Sequence, residues 1–331
     1  MILVTGATGH IGNVLVRALC ARGESVRALL LPDDDPAPLA GLDVMYVTGN
    51  VLDPDSLKQA MHGVDLVYHL AGVISILPSH NELMWRVNVE GAHNVAQAAL
   101  EVGVHRLVHV SSIHAFQTQP QGALIDETAP LALDAPRNSY NRTKAEGTLR
   151  VLEVVHKGLN AVIVCPTGII GPHDYRHSEM GTLVQDFARR KLHVLVDGAY
   201  DFVDVRDVVK GMMGAAAQGR RGELYILSGY NISLTHLRHI VQDLVGIHTP
   251  ALVIPFGVAR AVARLMDHLY PWMKVTPRFT SYSLNTVREN ILFSHQKASQ
   301  TFAYHPRPLR QTLRDVLEWR QQRLQRAPLP V

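Results

Sequence analysis

The sequence predicts an α/β fold built on a doubly wound parallel sheet, and three observations carry that expectation. Short runs rich in Val, Leu and Ile alternate with helical runs through the first half of the chain. The strand runs are almost continuously apolar, as strands covered on both faces are. The first of them passes directly into a helix across Gly6, Gly9 and Gly12.

Taken in order, Met1-Ile2-Leu3-Val4 reads as a short buried strand. His10 to Ala21 carries Ile11, Leu15 and Leu19 on one helical face, with Gly23 at the helix stop. Between them runs Thr5-Gly6-Ala7-Thr8-Gly9-His10-Ile11-Gly12. Glycines there let the backbone approach a pyrophosphate, whose charge meets the amides and positive dipole of the helix N-terminus. Lying between a strand and a helix, the turn predicts a dinucleotide site. Further strands are expected over Ser25–Leu31, Val44–Thr48, Leu66–Leu70, Arg106–Ser111 and Ala161–Cys165. Helices are expected over Asp55–His62, Leu83–Glu101 and Ser139–Val155. Asp53-Pro54 before the first of these reads as an N-cap followed by proline at the first helical position. Right-handed crossovers then bring the strands' C-terminal ends, and the ligand, to one edge.

After residue 166 proline and glycine become frequent, and two further returns to the sheet are read near Tyr200–Val205 and Glu223–Leu227. Residues 1–169 with about 200–228 thus form a Rossmann-type dinucleotide-binding domain, and about 170–199 and 229–331 a smaller C-terminal substrate-binding lobe. Within that lobe Ala251–Met273 has apolar positions at helical spacing, and the tail from about Gln321 is read as frayed. Arg260, Arg264 and Asp267 interrupt the apolar stretch and argue against a membrane span, leaving a packed helix, a lid over the pocket or a membrane-surface contact.

Bulk properties narrow the function. A chain of 331 residues, 47% hydrophobic and 18% charged, buries a large core and is not a disordered segment. A net charge of +3 with scattered basic residues disfavours nucleic acid as partner. Cys20 and Cys165 read as buried thiols of a reducing compartment, and with no leader peptide evident a cytoplasmic location is expected. No His, Cys or Asp cluster has metal-ligand spacing, so no metal is expected.

The chemistry concentrates in Tyr140-Asn141-Arg142-Thr143-Lys144, which puts a phenol and an ammonium about one turn apart on one helix face. Tyrosine titrates near pH 10, too high for acid–base work at neutral pH. A nearby lysine cation, together with an oxidised nicotinamide, would stabilise the phenolate and lower that value. Such a tyrosine hands a proton to a carbonyl oxygen as hydride arrives, or removes it in reverse. Val110-Ser111-Ser112 closes a strand where the nicotinamide ring is expected and supplies hydroxyls to hold the substrate oxygen. His10, His69, His114 and His173 are further candidates, His173 for a place facing substrate after the Gly171-Pro172 turn.

With these pieces assembled, the chain resembles an extended short-chain dehydrogenase/reductase of the NAD-dependent epimerase/dehydratase superfamily. The matching pieces are TGATGHIG at 5–12, GNVLD at 49–53, HLAG at 69–72, VNVEGAHN at 87–94, VSS at 110–112, YNRTK at 140–144, CPTGIIGP at 165–172 and FVDVRDV at 202–208. The resemblance implies that Gly6, Thr8, Gly9, His10, Ile11 and Gly12 surround the pyrophosphate end of the cofactor. By the same resemblance Asn50 and Val51 meet the adenine, with Asn50 standing where the family often has aspartate. Leu70, Ala71 and Gly72 pass beneath the ribose, Asn88 braces the site, and Pro166 and Ile169 line the nicotinamide. Tyr140 is then the acid/base, Lys144 its modifier and ribose ligand, and Ser112 rather than Ser111 the carbonyl clamp. A homodimer through Leu83–Glu101 and Ser139–Val155 is compatible with the family.

Departures from the pattern point to a branch. Similar nucleotide-sugar epimerases have asparagine where Gly168 stands and arginine where Tyr200 stands, and sugar dehydratases have an Asp-Glu pair where this chain has Ile113-His114. Val26-Arg27-Ala28-Leu29, GELYILSG at 222–229 and the closing YHPRPLRQTLRDVLEW at 304–319 are similar to the dihydroflavonol-reductase-like and 3β-hydroxysteroid-dehydrogenase-like branch. That branch implies a carbonyl or alcohol on a bulky hydrophobic small molecule, with Phe256, Met266, Tyr270, Trp272, Phe279 and Tyr282 offering apolar lining. Leu31 stands where NADP-preferring relatives have arginine, and Asp33-Asp34-Asp35 follow it, so NAD is favoured and NADP is left open. Asp33 is the first choice to hold the ribose hydroxyls. The competing readings are a sugar epimerase using the same Tyr140, and a non-catalytic dinucleotide-binding sensor or assembly protein.

Overall fold

A computed structural model of the protein describes residues 1–74, 81–120, 122–137, 139–190, 194–196, 198–259, 261 and 292–326. Its centre is a seven-stranded, all-parallel sheet made of β1 (Ile2–Thr5), β2 (Val26–Leu30), β3 (Met45–Thr48), β4 (Leu66–His69), β5 (Arg106–Val110), β7 (Ala161–Pro166) and β11 (Leu224–Leu227). The spatial order is β11-β7-β5-β4-β1-β2-β3. Strand order therefore reverses between β1 and β4, which is where a doubly wound sheet opens a crevice for a ligand.

The period-two geometry of the strands explains why they are apolar throughout. Ile2 and Val4 face one layer while Leu3 faces the other, and Val26, Ala28 and Leu30 oppose Leu29 in the same way. On the first face lie α1 (His10–Cys20), α7 (Val205–Gln218) and α9 (Gln296–Phe302). On the second lie α2 (Pro54–Met61), α4 (Ala92–Val102) and α5 (Tyr140–His156). Asp53 caps α2 as its sequence position suggests, accepting from the amides of Asp55 and Ser56. Cys20 and Cys165 are free thiols.

The expected helix over Leu83–Glu101 is broken. A short α3 (Asn81–Trp85) passes through a turn of π-helix at Arg86–Gly91 before α4 begins. The wide turn places Asn88 where its side chain accepts from the Val73 amide at 2.8 Å, donates to the Val73 carbonyl at 2.9 Å and reaches Thr143 at 3.2 Å. Gly147 of α5 packs so close to this turn that a Cβ there would lie 2.1 Å from the Asn88 carbonyl oxygen. π-turns of this kind concentrate at functional sites.

Of the two late returns to the sheet, Glu223–Leu227 enters it as β11, but Tyr200–Val205 does not. That segment forms β10 (Ala199–Asp204), in a separate sheet with β8 (Gly168–Ile170) and β12 (Tyr230–Ser233). Its alternation is responsible: Phe202 packs with Ile170, Val184 and Leu237, while Val203 packs against the main core. The same second core takes α6 (Glu179–Ala188), α8 (Leu234–Val245) and α10 (Leu309–Arg326). Asp204 caps α7 and pairs with Arg206 at 2.6 Å, and Asp207 binds Arg307 at 2.9 Å, so FVDVRDV ties β10 to the later chain. Two further pairs of short strands are parallel, β6 (Leu124–Ile125) with β14 (Leu292–Phe293), and β9 (Val194–Val196) with β13 (Leu252–Ile254).

β13 also corrects the helical reading of Ala251–Met273, whose first part is a strand because it pairs with β9. The end of that segment lies outside the described residues, as do Met266, Tyr270, Trp272, Phe279 and Tyr282. α10 continues to Arg326, past the position read as frayed. Among the described residues no helix is long and apolar enough to cross a membrane, and no group of His, Cys, Asp and Glu could hold a metal ion.

Candidate active site

The glycine turn is shaped by contacts that leave no room for side chains. Gly6 has φ +68°, and a Cβ there would lie 2.8 Å from the backbone of Leu70 and Ala71. A Cβ at Gly12 would lie 2.1 Å from the Gly6 carbonyl oxygen. The Thr5 hydroxyl accepts from the amides of Leu70 and Ala71 at 3.2 and 3.1 Å and bonds His69 Nδ1 at 2.8 Å, so the β1 and β4 ends are locked together. α1 begins with Gly9 at its N-cap, without a side-chain cap or an acidic residue in its first turn. Its first amides and positive dipole are therefore left to an anion, and the backbone fits a dinucleotide pyrophosphate. His10 itself turns away, its Nε2 on the Pro172 carbonyl at 3.0 Å, and burial lowers its pKa.

Ile11 packs on the main core. Asn50 accepts from the Leu52 amide at 2.9 Å, which fixes the turn into α2, while Val51 is buried against Gly91. A Cβ at Gly72 would sit 3.8 Å from Lys144 Nζ, which brings the Leu70-Ala71-Gly72 segment beside the lysine. Pro166 closes β7, and Ile169 on β8 packs against the main core.

At the end of β5 the two serines part. The Ser111 hydroxyl is buried and bonded to Thr148 on α5 at 2.6 Å. Ser112 accepts from the His114 amide at 3.2 Å, and its hydroxyl acts to lower the Tyr140 pKa. Ser139 caps α5, accepting from the Arg142 amide, and so fixes Tyr140 at the first turn. Lys144, one turn on, donates from Nζ to the Val110 carbonyl at 3.1 Å.

The lowering expected for Tyr140 calls for the oxidised nicotinamide as well as Lys144, and the protein's own surroundings act the other way. Burial pushes the Tyr140 pKa up to about 12, with the Ser112 hydroxyl acting in the opposite sense. The same burial brings Lys144 down to about 8. Tyr140 is a neutral phenol at neutral pH, and burial on its own makes it a weaker acid than an exposed tyrosine.

Sequence reasoning missed what surrounds these groups. His114 stacks edge-on to Tyr140 with ring centroids 5.7 Å apart, and its Nε2 lies 3.1 Å from the Tyr200 hydroxyl. Burial brings the His114 pKa down to about 4, so the ring is neutral. The Tyr200 ring covers Gly168, where a Cβ would meet it at 2.3 Å. Ile113, Phe116, Ile125 and Phe293 complete a cavity wall beside His114 and Tyr200. Phe256 packs with Val196 and Ala259. His173 does not join this group: it has φ +66° and lies against Tyr175 and Trp319.

A second missed feature lies at the glycine turn. Arg176 Nη2 donates to Thr8 Oγ1 at 2.7 Å and to Asp34 Oδ1 at 3.1 Å. Asp34, rather than the exposed Asp33, faces the turn, because the Leu31 amide holds its other oxygen at 3.3 Å. Sequence separations of 168 and 142 residues hid these contacts.

Comparison with known proteins places this geometry. Residues 2–232 match the model of the NAD dependent epimerase/dehydratase family. The chain is 36% identical over 325 residues to the sterol demethylase protein B of Methylococcus capsulatus, covering 97% of this chain and 98% of that one. It is 30% identical over 322 residues to the 4-hydroxy-2-methyl-3-oxo-4-farnesyl-3,4-dihydroquinoline-1-oxide ketoreductase of Stigmatella aurantiaca, covering 95% and 94%. The crystal structure of gox2253 superposes with a TM-score of 0.85 at 32% identity, covering 98% of both chains.

Proposed function

The chain belongs to the NAD-dependent epimerase/dehydratase family, and within it we propose that it is a reductase or dehydrogenase acting on a carbonyl or alcohol of a bulky hydrophobic molecule. The observation that carries this reading is the placement of Tyr140 and Lys144 one turn apart on α5 at the end of β5, where Ser112 stands, Lys144 reaches the Val110 carbonyl at 3.1 Å and His114 lies edge-on to Tyr140. A cofactor held along Gly6–Gly12 and over Leu70–Gly72 supplies or takes up the hydride. Ser112 holds the substrate oxygen. Tyr140, a neutral phenol, gives that oxygen its proton as the carbonyl is reduced. In the reverse direction the proton returns to Tyr140, and cationic Lys144 favours the phenolate. Thr8, Gly9, His10, Ile11, Asn50, Val51, Pro166 and Ile169 complete the proposed cofactor site.

The substrate side supports an apolar molecule over a nucleotide sugar. Tyr200 fills the space next to Gly168, where any larger residue would collide with its ring. Ile113 and His114 offer no carboxylate to assist dehydration. The two relatives whose names print a sterol and a farnesyl group agree with that side of the site. Residues 1–169 with about 200–228 would then hold the cofactor, and the remainder would close over the substrate.

The test is label transfer from NADH deuterated on the nicotinamide, offered steroidal, terpenoid and aromatic ketones alongside UDP-sugars. Deuterium on the carbinol carbon of a hydrophobic ketone, with NADH consumed, is the expected result. Interconversion of sugar epimers without net NADH consumption would replace this reading with the epimerase.

A further inference from the structure

We infer that Arg176 builds a 2′-phosphate site at the adenosine end of the groove, so that the protein accepts NADP as well as NAD. This rests on the dinucleotide reading of the glycine turn and goes beyond it. The ends of β1 and β2 are neighbours in the sheet, with Thr5 opposite Leu29. In this fold the ribose 2′ position is read beyond the second strand, by an acid for a hydroxyl or an arginine for a phosphate. Leu31 offers neither, and Asp33, Asp34 and Asp35 would repel a phosphate. Arg176 arrives there from the loop between β8 and α6, touching both Thr8 and Asp34. It cancels the charge of the acid nearest the turn and brings a guanidinium, whose fork matches phosphate oxygens.

The loop is built to present it. His173 and His177 take left-handed φ of +66° and +54°, which residues other than glycine rarely adopt. Buried Asp174 accepts from the Ser178 amide and hydroxyl, closing the loop from inside. Tyr175 is gripped between Arg17, whose guanidinium donates to its hydroxyl at 3.3 Å, and Arg323 and Trp319 of α10. Between these anchored neighbours Arg176 is half exposed and free to exchange partners. With NAD the pair with Asp34 stays closed over the ribose hydroxyl. With NADP the guanidinium leaves Asp34 for the 2′-phosphate, and the exposed ion pair given up is worth little in water.

Fluorescence titration of NADH and NADPH into the wild-type protein, Arg176→Gln and Asp34→Asn tests this without any substrate. The wild type is expected to bind both. Arg176→Gln should weaken NADPH by about tenfold or more while leaving NADH within about threefold. Asp34→Asn, which keeps an oxygen for the Leu31 amide, should shift the ratio towards NADPH. Retained NADH binding in both variants shows that they fold. An Arg176→Gln variant whose NADPH-to-NADH ratio is unmoved, or a wild type that binds NADH alone, overturns the inference and leaves the proposed function standing. Binding of neither cofactor by the wild type overturns both.

Discussion

The two ends of the groove are built on opposite principles. At the end of β5, Tyr140, Ser112 and Lys144 are withdrawn from water, and their chemistry comes from burial: a phenol kept neutral and an ammonium brought down to about 8. At the end of β2, Arg176 and Asp34 meet at the surface with side-chain exposures of 58% and 23%. Desolvation does little for such a pair, and its value lies in how readily it opens. On the proposed reading one end transfers a proton, where a small displacement is costly, and the other discriminates charge, where exchange of partners is the point.

Substitutions at the two serines sharpen the contrast most strongly. Ser112→Ala should lower kcat by about a hundredfold with NADH affinity unchanged, since it removes a hydroxyl facing the reacting oxygen. Ser111→Ala should keep kcat within about threefold and cost about 1 kcal/mol of stability, because its hydroxyl bonds Thr148 instead. The reverse order would break the assignment of Ser112 as clamp.

Histidines withdrawn from water at both ends should also make folding acid-sensitive. His69, His114 and His173 have pKa values brought down to about 3, 4 and 4 by burial, from an ordinary 6.5. Below 6.5 the unfolded chain takes up protons that the folded chain refuses, so stability falls as pH drops through the window from 6.5 to about 4. Urea unfolding followed by circular dichroism should show a loss of a few kcal/mol across that window. His114→Gln should flatten part of the slope. A stability independent of pH there would mean that these rings are hydrated.

What was legible in the sequence was local. Tyr140 and Lys144 lie four positions apart on one helix, and the glycine turn is eight contiguous residues, so spacing alone put each on its element. The strands of the main sheet were readable because their apolar alternation serves two cores at once. Tyr200–Val205 misled because Phe202, Val203 and Val205 read like a core strand, while Phe202 packs on α6 and α8 instead. The π-turn at Arg86–Gly91 has helical composition, and only the Asn88 bonds to Val73 and Thr143 explain it. Sequence shows the cation beside Tyr140 but not the burial that raises its pKa. Tyr200 over Gly168 and Arg176 at Thr8 depend on chain segments that meet only in the fold.

The central claim is that Tyr140, one of the proposed cofactor-lining residues, transfers the proton, and that cofactor binding does not depend on its hydroxyl. Tyr140→Phe removes one oxygen while keeping the ring against His114. Its NADH affinity, by titration, and its ketone turnover, by single-turnover kinetics, should be measured on the same preparation. The expected result is unchanged affinity with turnover lower by about a thousandfold or more. Turnover within a few-fold of wild type, with NADH still bound, would contradict the account.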